Sequence, residues 1–585
     1  MDPLSRGRPG GARRHAVRLA GSLAASLLLA AIFVQQVTAS RATSAVVDEP
    51  AHLTAGWLAL TGGDLTVNRE HPPLAKLLAA LPLLALNPRL PPRQEDGPAP
   101  GSEDFEFHYA RSFLYEANDA DRLLQAARLP VVLMTLILGA ILYVWVREIA
   151  GTLPALAALS LAAFEPNLLA HGRLVTTDMG AALFALAFLW SLRSVMRRPS
   201  FAAAGACGLI LGLALLTKFS TLLLIPVGIA LVAAEILMQR RGLVTPACPA
   251  GVERLAMLAA IVACTAWAVL LAGYAFDGFP LPRLYLEGID IARVKNATVE
   301  GPTWLMGGIS PDGFLSYFVI ALLVKSPIPL LLLAAAGAIA GLVRRERRAE
   351  MLWLVLPPVA WIAAMSLLTR AQIGVRYVLP AVPFLCAAAG AGLPALFALL
   401  APGAPHPPPA GAAGQKAPGR GVIPGRHSRR RAFLAAAIVL LIGWQAASVL
   451  ARHPYHLSWF NAIAGGPEGG WRWLVDSNVD WGQDLVGLRR WQEAAGNPPV
   501  NLYYFGTADP DYYGIRRLPY GQPRPGWFAA SATHLAGVYL PDPDYLRPLR
   551  ERLPDANIGA SIYLYRLDEV PEGLRRPLRR GGSAP

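Results

Sequence analysis

Residues 16–37, AVRLAGSLAASLLLAAIFVQQV, follow a short cationic stretch that carries Arg6, Arg8, Arg13 and Arg14. Basic residues before an apolar run outline a secretory signal, but a signal's apolar region covers only about 7–15 residues. This run is long enough to cross a bilayer core, which takes about 20. It reads as a retained first transmembrane helix, with the basic N-terminus at 1–15 held in the cytoplasm.

The remainder of the 585 residues has the same character: 54% are hydrophobic and only 16% charged, too apolar for an ordinary soluble protein. About eleven candidate spans of roughly bilayer length fall at 16–38, 127–147, 152–170, 176–195, 201–217, 219–238, 255–275, 314–342, 351–368, 377–400 and 432–450. The formal charge of +14 does not mark a nucleic-acid partner, because the basic residues sit in short clusters between apolar runs. Cys207, Cys248, Cys264 and Cys386 lie in or beside apolar spans, with neither metal spacing nor a disulfide framework.

Those basic clusters test the span count, since cytoplasmic connections are enriched in Lys and Arg. Arg193, Arg197 and Arg198, then Arg240, Arg241 and Arg254, then Arg344, Arg345, Arg347 and Arg348 mark alternate connections. The Pro/Gly/Ala-rich linker at 401–431 ends in Arg429, Arg430 and Arg431 and belongs on the same side. The expected organisation is therefore a transmembrane domain at 16–400 with outer loops at 40–124 and 276–313. A last span at 432–450 then delivers an extracytoplasmic domain at 451–585. Within the first loop, 50–60 and 74–86 have the length and apolarity of short surface helices. In the tail, a helical pattern at 483–495 and strand-like runs at 501–506, 527–531 and 561–567 predict a small α/β domain.

Ionisable residues beside apolar spans are costly and point to function. Asp48 and Glu49 follow the first span directly. An acid before Pro50 also suits a helix start, and one of the two can cap while the other faces a cavity. NREHPPLAK at 68–76 places Glu70 and His71 before a proline turn and Lys76 about one helical turn beyond it. Lys76, Arg173, Lys218 and Arg376 all fall at the outer ends of spans, where they can converge on one anionic group such as a phosphate; Lys325 lies deeper in its span. Asp178, five residues after Arg173, requires a cationic partner, either that arginine or another. DSNVDWGQDL at 476–485 reads either as a turn before a helix or as an acceptor groove, with Asp480 and Trp481 available to sugar hydroxyls. Glu70 and His71 are two neighbouring potential ligands, short of the three or four that a metal site takes. No metal is assigned, although a divalent ion is compatible with the chemistry.

Several of these stretches together resemble a known family. The Asp48-Glu49 pair after the first span, HPPLAK at 71–76, HGRLVTTDMGAALF at 171–184 and GLALLTKFSTLLLIP at 212–226 resemble the GT-C superfamily of integral-membrane glycosyltransferases. Within it they are similar to family 39, the protein O-mannosyltransferase and aminoarabinose transferase group. YFVIALLVKSPIPLLLL at 317–333, IGVRYVLPAVPFL at 373–385 and the tail segments SWFNAIAGGPEGG at 458–470 and LVDSNVDWGQDL at 474–485 resemble a bacterial branch. The resemblance implies a polyprenyl-phosphate sugar donor and a protein, lipid or glycan acceptor outside the cytoplasmic membrane. It also implies that Asp48 is the catalytic base with Glu49 beside it. Lys76, Arg173, Lys218 and Arg376 are then candidates for the donor phosphate, and Glu70, His71, Asp178, Asp480 and Trp481 for other substrate contacts. The contrasting class is a transporter or flippase for a lipid-linked or anionic solute, which would need ionisable groups near the bilayer midplane; here most charges sit at span ends.

Overall fold

The computed structural model describes residues 10–92, 102–243, 251–298, 303–401 and 424–576. Residues 1–9 of the basic N-terminus, most of the 401–431 linker and Cys248 lie outside the described residues. Among the described residues, eight helices are long and apolar enough to cross a membrane: Leu19–Arg41, Ala120–Ala150, Asp178–Arg197, Phe219–Arg240, Glu253–Gly273, Arg345–Leu368, Val375–Leu400 and Ser428–Leu450. The chain is an integral, multi-pass membrane protein.

The other three expected spans take different forms. Residues 314–342 form two helices, Tyr317–Lys325 and Ile328–Val343, bent 112° at the break. Pro327 causes it, because it has no N–H to give the preceding turn. The break is held by Lys325, whose buried ammonium donates to the Leu457, Trp459 and Asn478 carbonyls at 2.6, 2.8 and 2.7 Å. The 152–170 span is interrupted after the 12-residue helix Thr152–Ala163. Glu165 then caps a new helix, Pro166–His171, by accepting from Leu168 N at 2.7 Å, with Pro166 in its first turn. The third, Phe201–Leu215, has only 15 residues.

The bundle core is apolar, with Trp145, Trp353 and Phe384 among its fully buried side chains. Helices Ile328–Val343 and Val382–Leu400 cross at Gly337 and Gly392, where a Cβ on Gly392 would overlap the Gly337 backbone. One end of the bundle gathers the basic connections. There Arg193 donates to both Glu235 oxygens at 2.8 and 2.9 Å and to Glu350 at 2.7 Å, Arg347 reaches the Ile149 carbonyl at 2.7 Å, and Arg254 reaches Pro199 at 3.0 Å.

The opposite end carries the short helices Glu49–Gly62 and Leu74–Ala80, a hairpin and the tail. The hairpin pairs β1 (Thr303–Leu305) with β2 (Gly308–Ser310) and was not anticipated. In the tail, β3 (Val500–Tyr503), β4 (Gly526–Ser531), β5 (Ala556–Ile558) and β6 (Ile562–Leu567) form one sheet in the order β3-β4-β6-β5. Only β3 and β4 run parallel. Helix Leu485–Ala494 packs against this sheet through Leu485 and Leu488. A C-terminal α/β part is thus present, and its strands include the three expected runs plus the three-residue β5.

Candidate active site

Leaving the first span, the chain lies against the DWGQ turn of the tail. Ser44 N donates to Gln483 O at 2.9 Å, Val47 N to Trp481 O at 3.0 Å and Ser44 Oγ to Gly482 O at 3.0 Å, while Thr507 Oγ1 donates to Val47 O at 2.8 Å. This pairing fixes the backbone just before helix Glu49–Gly62. Asp48 occupies the N-cap position, but its side chain makes no cap hydrogen bond. Its carboxylate turns to the bundle instead and accepts from Arg376 Nη1 at 2.7 Å.

Four charged side chains meet at this point. Arg376 Nη1 is also 3.8 Å from Asp178 Oδ2, and Lys218 makes a short ion pair with Asp178 Oδ1. The partner Asp178 needed is therefore Lys218 together with Arg376, and not Arg173. Aromatic faces line the cluster. The Arg376 guanidinium lies 4.2 Å from the Trp481 ring centre and 5.5 Å from that of Tyr377, and the Lys218 ammonium 4.9 Å from that of Tyr377. Asp48, with 21% of its side chain exposed, is the most accessible of the four. Asp178 Oδ2 and Arg376 Nε are buried without a hydrogen-bond partner.

Glu49 points the other way. It forms a two-point ion pair with Arg128, at 2.8 and 2.6 Å, and accepts from the Val46 and Val175 amides at 3.0 Å each. Burial opposes its charge, but the Arg128 guanidinium and the two amides outweigh that and hold the carboxyl below its ordinary range. Arg128 completes the joint by donating to the Ser40, Thr43 and Ser44 carbonyls. Sequence reasoning passed over Arg128, although an arginine inside the apolar run at 127–147 was the available signal.

Lys76 is buried, and its ammonium donates to Asn68 O at 2.6 Å, Asn68 Oδ1 at 3.2 Å and His71 O at 2.9 Å. It closes the 68–76 loop on itself. Burial pushes its pKa down to about 8 against the charges of Glu70 and Glu106. Glu70 pairs with Lys295 at 3.1 Å and accepts from Asn68 Nδ2 at 3.0 Å. His71 meets the His52 ring edge-on at 4.9 Å.

Arg173 is buried beside the first span, with Nη1 donating to Thr43 Oγ1 at 2.8 Å. Asp480 is buried too, accepting from the Thr533 amide at 3.2 Å and the Gly482 amide at 3.4 Å, with burial pushing its carboxyl up to about 8. Its neighbour Asp476 lies nearer Arg376 and accepts from Tyr539 Oη at 2.8 Å; burial pushes it up to about 6. Asp48, Asp178, Lys218, Arg376 and Trp481 thus come together. Glu49, Lys76, Arg173, Glu70 and Asp480 each engage groups elsewhere in the chain. Among the described residues, no group of three or more His, Cys, Asp or Glu is placed to hold a metal ion.

Two cations paired with two carboxylates at one end of the bundle, beside the DWGQ turn of the tail, form a site suited to hold an anionic group. Residues 120–272 match a family model described as dolichyl-phosphate-mannose-protein mannosyltransferase. The segment includes Arg128, Arg173, Asp178 and Lys218, and the match supports the resemblance to GT-C glycosyltransferases of family 39 that the motifs carried. No curated protein matches the chain.

Among solved structures, the chain is similar to ArnT from Cupriavidus metallidurans bound to undecaprenyl phosphate, at 14% identity and a TM-score of 0.47, covering 93% of this chain and 97% of that one. It is also similar to the oligosaccharyltransferase AglB from Archaeoglobus fulgidus in complex with an inhibitory peptide and a dolichol-phosphate, at 12% identity and a TM-score of 0.41, covering 72% and 55%.

Proposed function

We propose that this protein transfers a sugar from a polyprenyl-phosphate carrier to an acceptor hydroxyl, amine or phosphate on the outer side of the cytoplasmic membrane, with inversion at the anomeric carbon. The observation that supports this most is the cluster of Asp48, Arg376, Asp178 and Lys218. It sets one accessible carboxylate against two cations at the end of the bundle opposite the arginine-rich connections. The positive-inside rule makes that end extracytoplasmic, which puts the N-terminus in the cytoplasm and the tail outside.

In this mechanism Asp48 takes the acceptor proton as the acceptor attacks the anomeric carbon, a contribution of about 100- to 10,000-fold. Arg376 and Lys218 stabilise the charge that grows on the departing lipid phosphate. A phosphate leaves without a general acid, so one carboxylate and two cations suffice. Asp178 holds both cations in place, and Trp481 offers its ring face to Arg376. Glu49, through Arg128, sets the backbone that carries Asp48. Lys76 and Arg173 act behind the phosphate site, bracing the 68–76 loop and the exit of the first span. His71 lies near enough to Lys218 and Arg376 to interact with their charges and borders the cluster, while Glu70 stays paired with Lys295.

Protein reconstituted in liposomes with donor labelled in its sugar tests this reading. Label appearing on an acceptor supports it; donor that crosses the bilayer intact makes the protein a flippase.

A further inference from the structure

The four ion-paired side chains Asp48, Asp178, Lys218 and Arg376 carry two negative and two positive charges, and they sum to zero. An incoming lipid phosphodiester, with its single negative charge, therefore meets no net positive field from this cluster. Arg376 is also already committed, with Nη1 on the accessible carboxylate Asp48. The guanidinium on Asp48 Oδ2 draws charge from the carboxylate and weakens it as a base, so releasing this contact strengthens Asp48 for proton transfer.

We infer that Arg376 is a positioning switch, held by Asp48 in the empty site and drawn to the donor phosphate when it binds, so that donor binding frees Asp48 to act as the stronger base toward the acceptor. This rests on the glycosyltransferase reading above and adds an order of events to it. Three features make the exchange cheap. Arg376 stays near Asp178, whose Oδ2 is 3.8 Å from Nη1 and accepts no hydrogen bond, so the arginine is never stranded without a carboxylate. Its Nε is a buried donor without a partner, available to a second phosphate oxygen in the forked geometry that guanidinium favours. Its guanidinium carbon lies over the Trp481 ring, 4.2 Å from the centre, and the cation–π attraction reaches to about 6 Å, so a small shift keeps it.

The reaction then balances within the cluster. The acceptor O–H proton passes to Asp48, and the oxygen's electron pair forms the bond to the anomeric carbon. The bond from that carbon to the phosphate oxygen breaks, and its electron pair leaves with the lipid phosphate, whose charge rises from one negative to two. Neutralising Asp48 gives the cluster one net positive charge in the same step. Proton uptake and leaving-group stabilisation are thus linked through Arg376.

Carboxyl labelling tests the switch without knowledge of the sugar or the acceptor. Full-length protein in nanodiscs is treated with a carbodiimide and an amine, with and without a sugar-free C55 polyprenyl phosphate. Modification of Asp48 is then read by peptide mass spectrometry against the exposed Asp568, while thermal stabilisation reports lipid binding separately. The expected result is several-fold more labelling of Asp48 when the lipid is bound. Arg376→Gln should start at the higher level and gain nothing from lipid. The wild-type comparison decides the matter even if that variant fails to fold. Lipid that stabilises the protein while Asp48 labelling stays level or falls overturns the switch and leaves the glycosyltransferase reading intact. Lipid that does not bind at all overturns both.

Discussion

Arg376 donates to Asp48 at 2.7 Å across 328 positions of chain, tying the exit of the first span to the entry of the Val375–Leu400 span. Replacing Arg376 by Ala removes that contact and one of the two cations facing Asp178. Turnover should fall by about 100- to 1,000-fold, the scale seen when one electrostatic donor is lost from an active site. Arg376→Lys keeps the charge but neither the forked donors nor the guanidinium contact with Trp481, and should recover only part of the loss. Single-turnover rates at saturating donor measure both; a lysine variant at the wild-type rate would leave charge alone as the requirement.

Trp481 comes from the tail yet stacks on Arg376 in the bundle. Trp481→Leu keeps an apolar filler and loses the cation–π contact, about 0.5–2 kcal/mol. It should weaken donor use by roughly 2- to 30-fold while membrane insertion is unaffected. Donor KM and kcat for the variant test this, and unchanged values would reduce Trp481 to packing.

The Glu49–Arg128 pair is fully buried and braced by five further hydrogen bonds to backbone. Glu49→Ala leaves Arg128 uncompensated and should cost about 3–5 kcal/mol of stability, whereas Glu49→Leu combined with Arg128→Met should recover much of it. Thermal unfolding in detergent distinguishes this bracing role from a catalytic one. A Glu49→Ala variant that unfolds like wild type but has lost turnover would give Glu49 a direct part in the chemistry.

Lys76 supplies a pH signature. Its folded pKa, about 8, lies below the 10.5 of an unburied lysine. Between those values the unfolded chain binds a proton that the folded chain does not, so stability should rise as pH climbs from about 8 to 10.5, by up to roughly 3 kcal/mol. Lys76→Met should flatten that rise. At neutral pH the loss of the donor shared by the Asn68 and His71 carbonyls, about 1–3 kcal/mol, should offset much of the relief from removing a buried charge. Thermal unfolding across this pH range measures both effects. If the variant keeps the wild-type pH slope and instead raises donor KM, Lys76 is a phosphate ligand after all.

Much of this architecture was legible in the sequence because its causes are local. Apolar length marks a span, and Pro50 and Pro73 mark helix starts. Runs of branched and aromatic residues mark strands such as β6, Ile562–Leu567. Charge at span ends also brought Asp48, Asp178, Lys218 and Arg376 into view before their contacts were known. The roles of individual cations were less legible, since a lysine at a span end looks the same whether it faces a ligand or a carbonyl. Lys76, with three acceptors in its own loop, and Lys325, with three in the tail, look in sequence like Lys218. The docking of Trp481 on Arg376 depends on a register between segments about a hundred residues apart, which no local pattern encodes. Glu165 and Pro166 did signal the break in the 152–170 span, but the apolarity on either side concealed it.

Mass spectrometry of cell-envelope glycoconjugates tests the central claim most directly. Cells carrying the intact protein are compared with cells carrying Asp48→Asn, with equal membrane levels of both proteins confirmed. One glycan modification should be present with the intact protein and missing with the variant, while unspent polyprenyl-phosphate sugar accumulates. The same glycoconjugates in both, with no build-up of donor, would contradict Asp48 as the base of a glycosyl transfer.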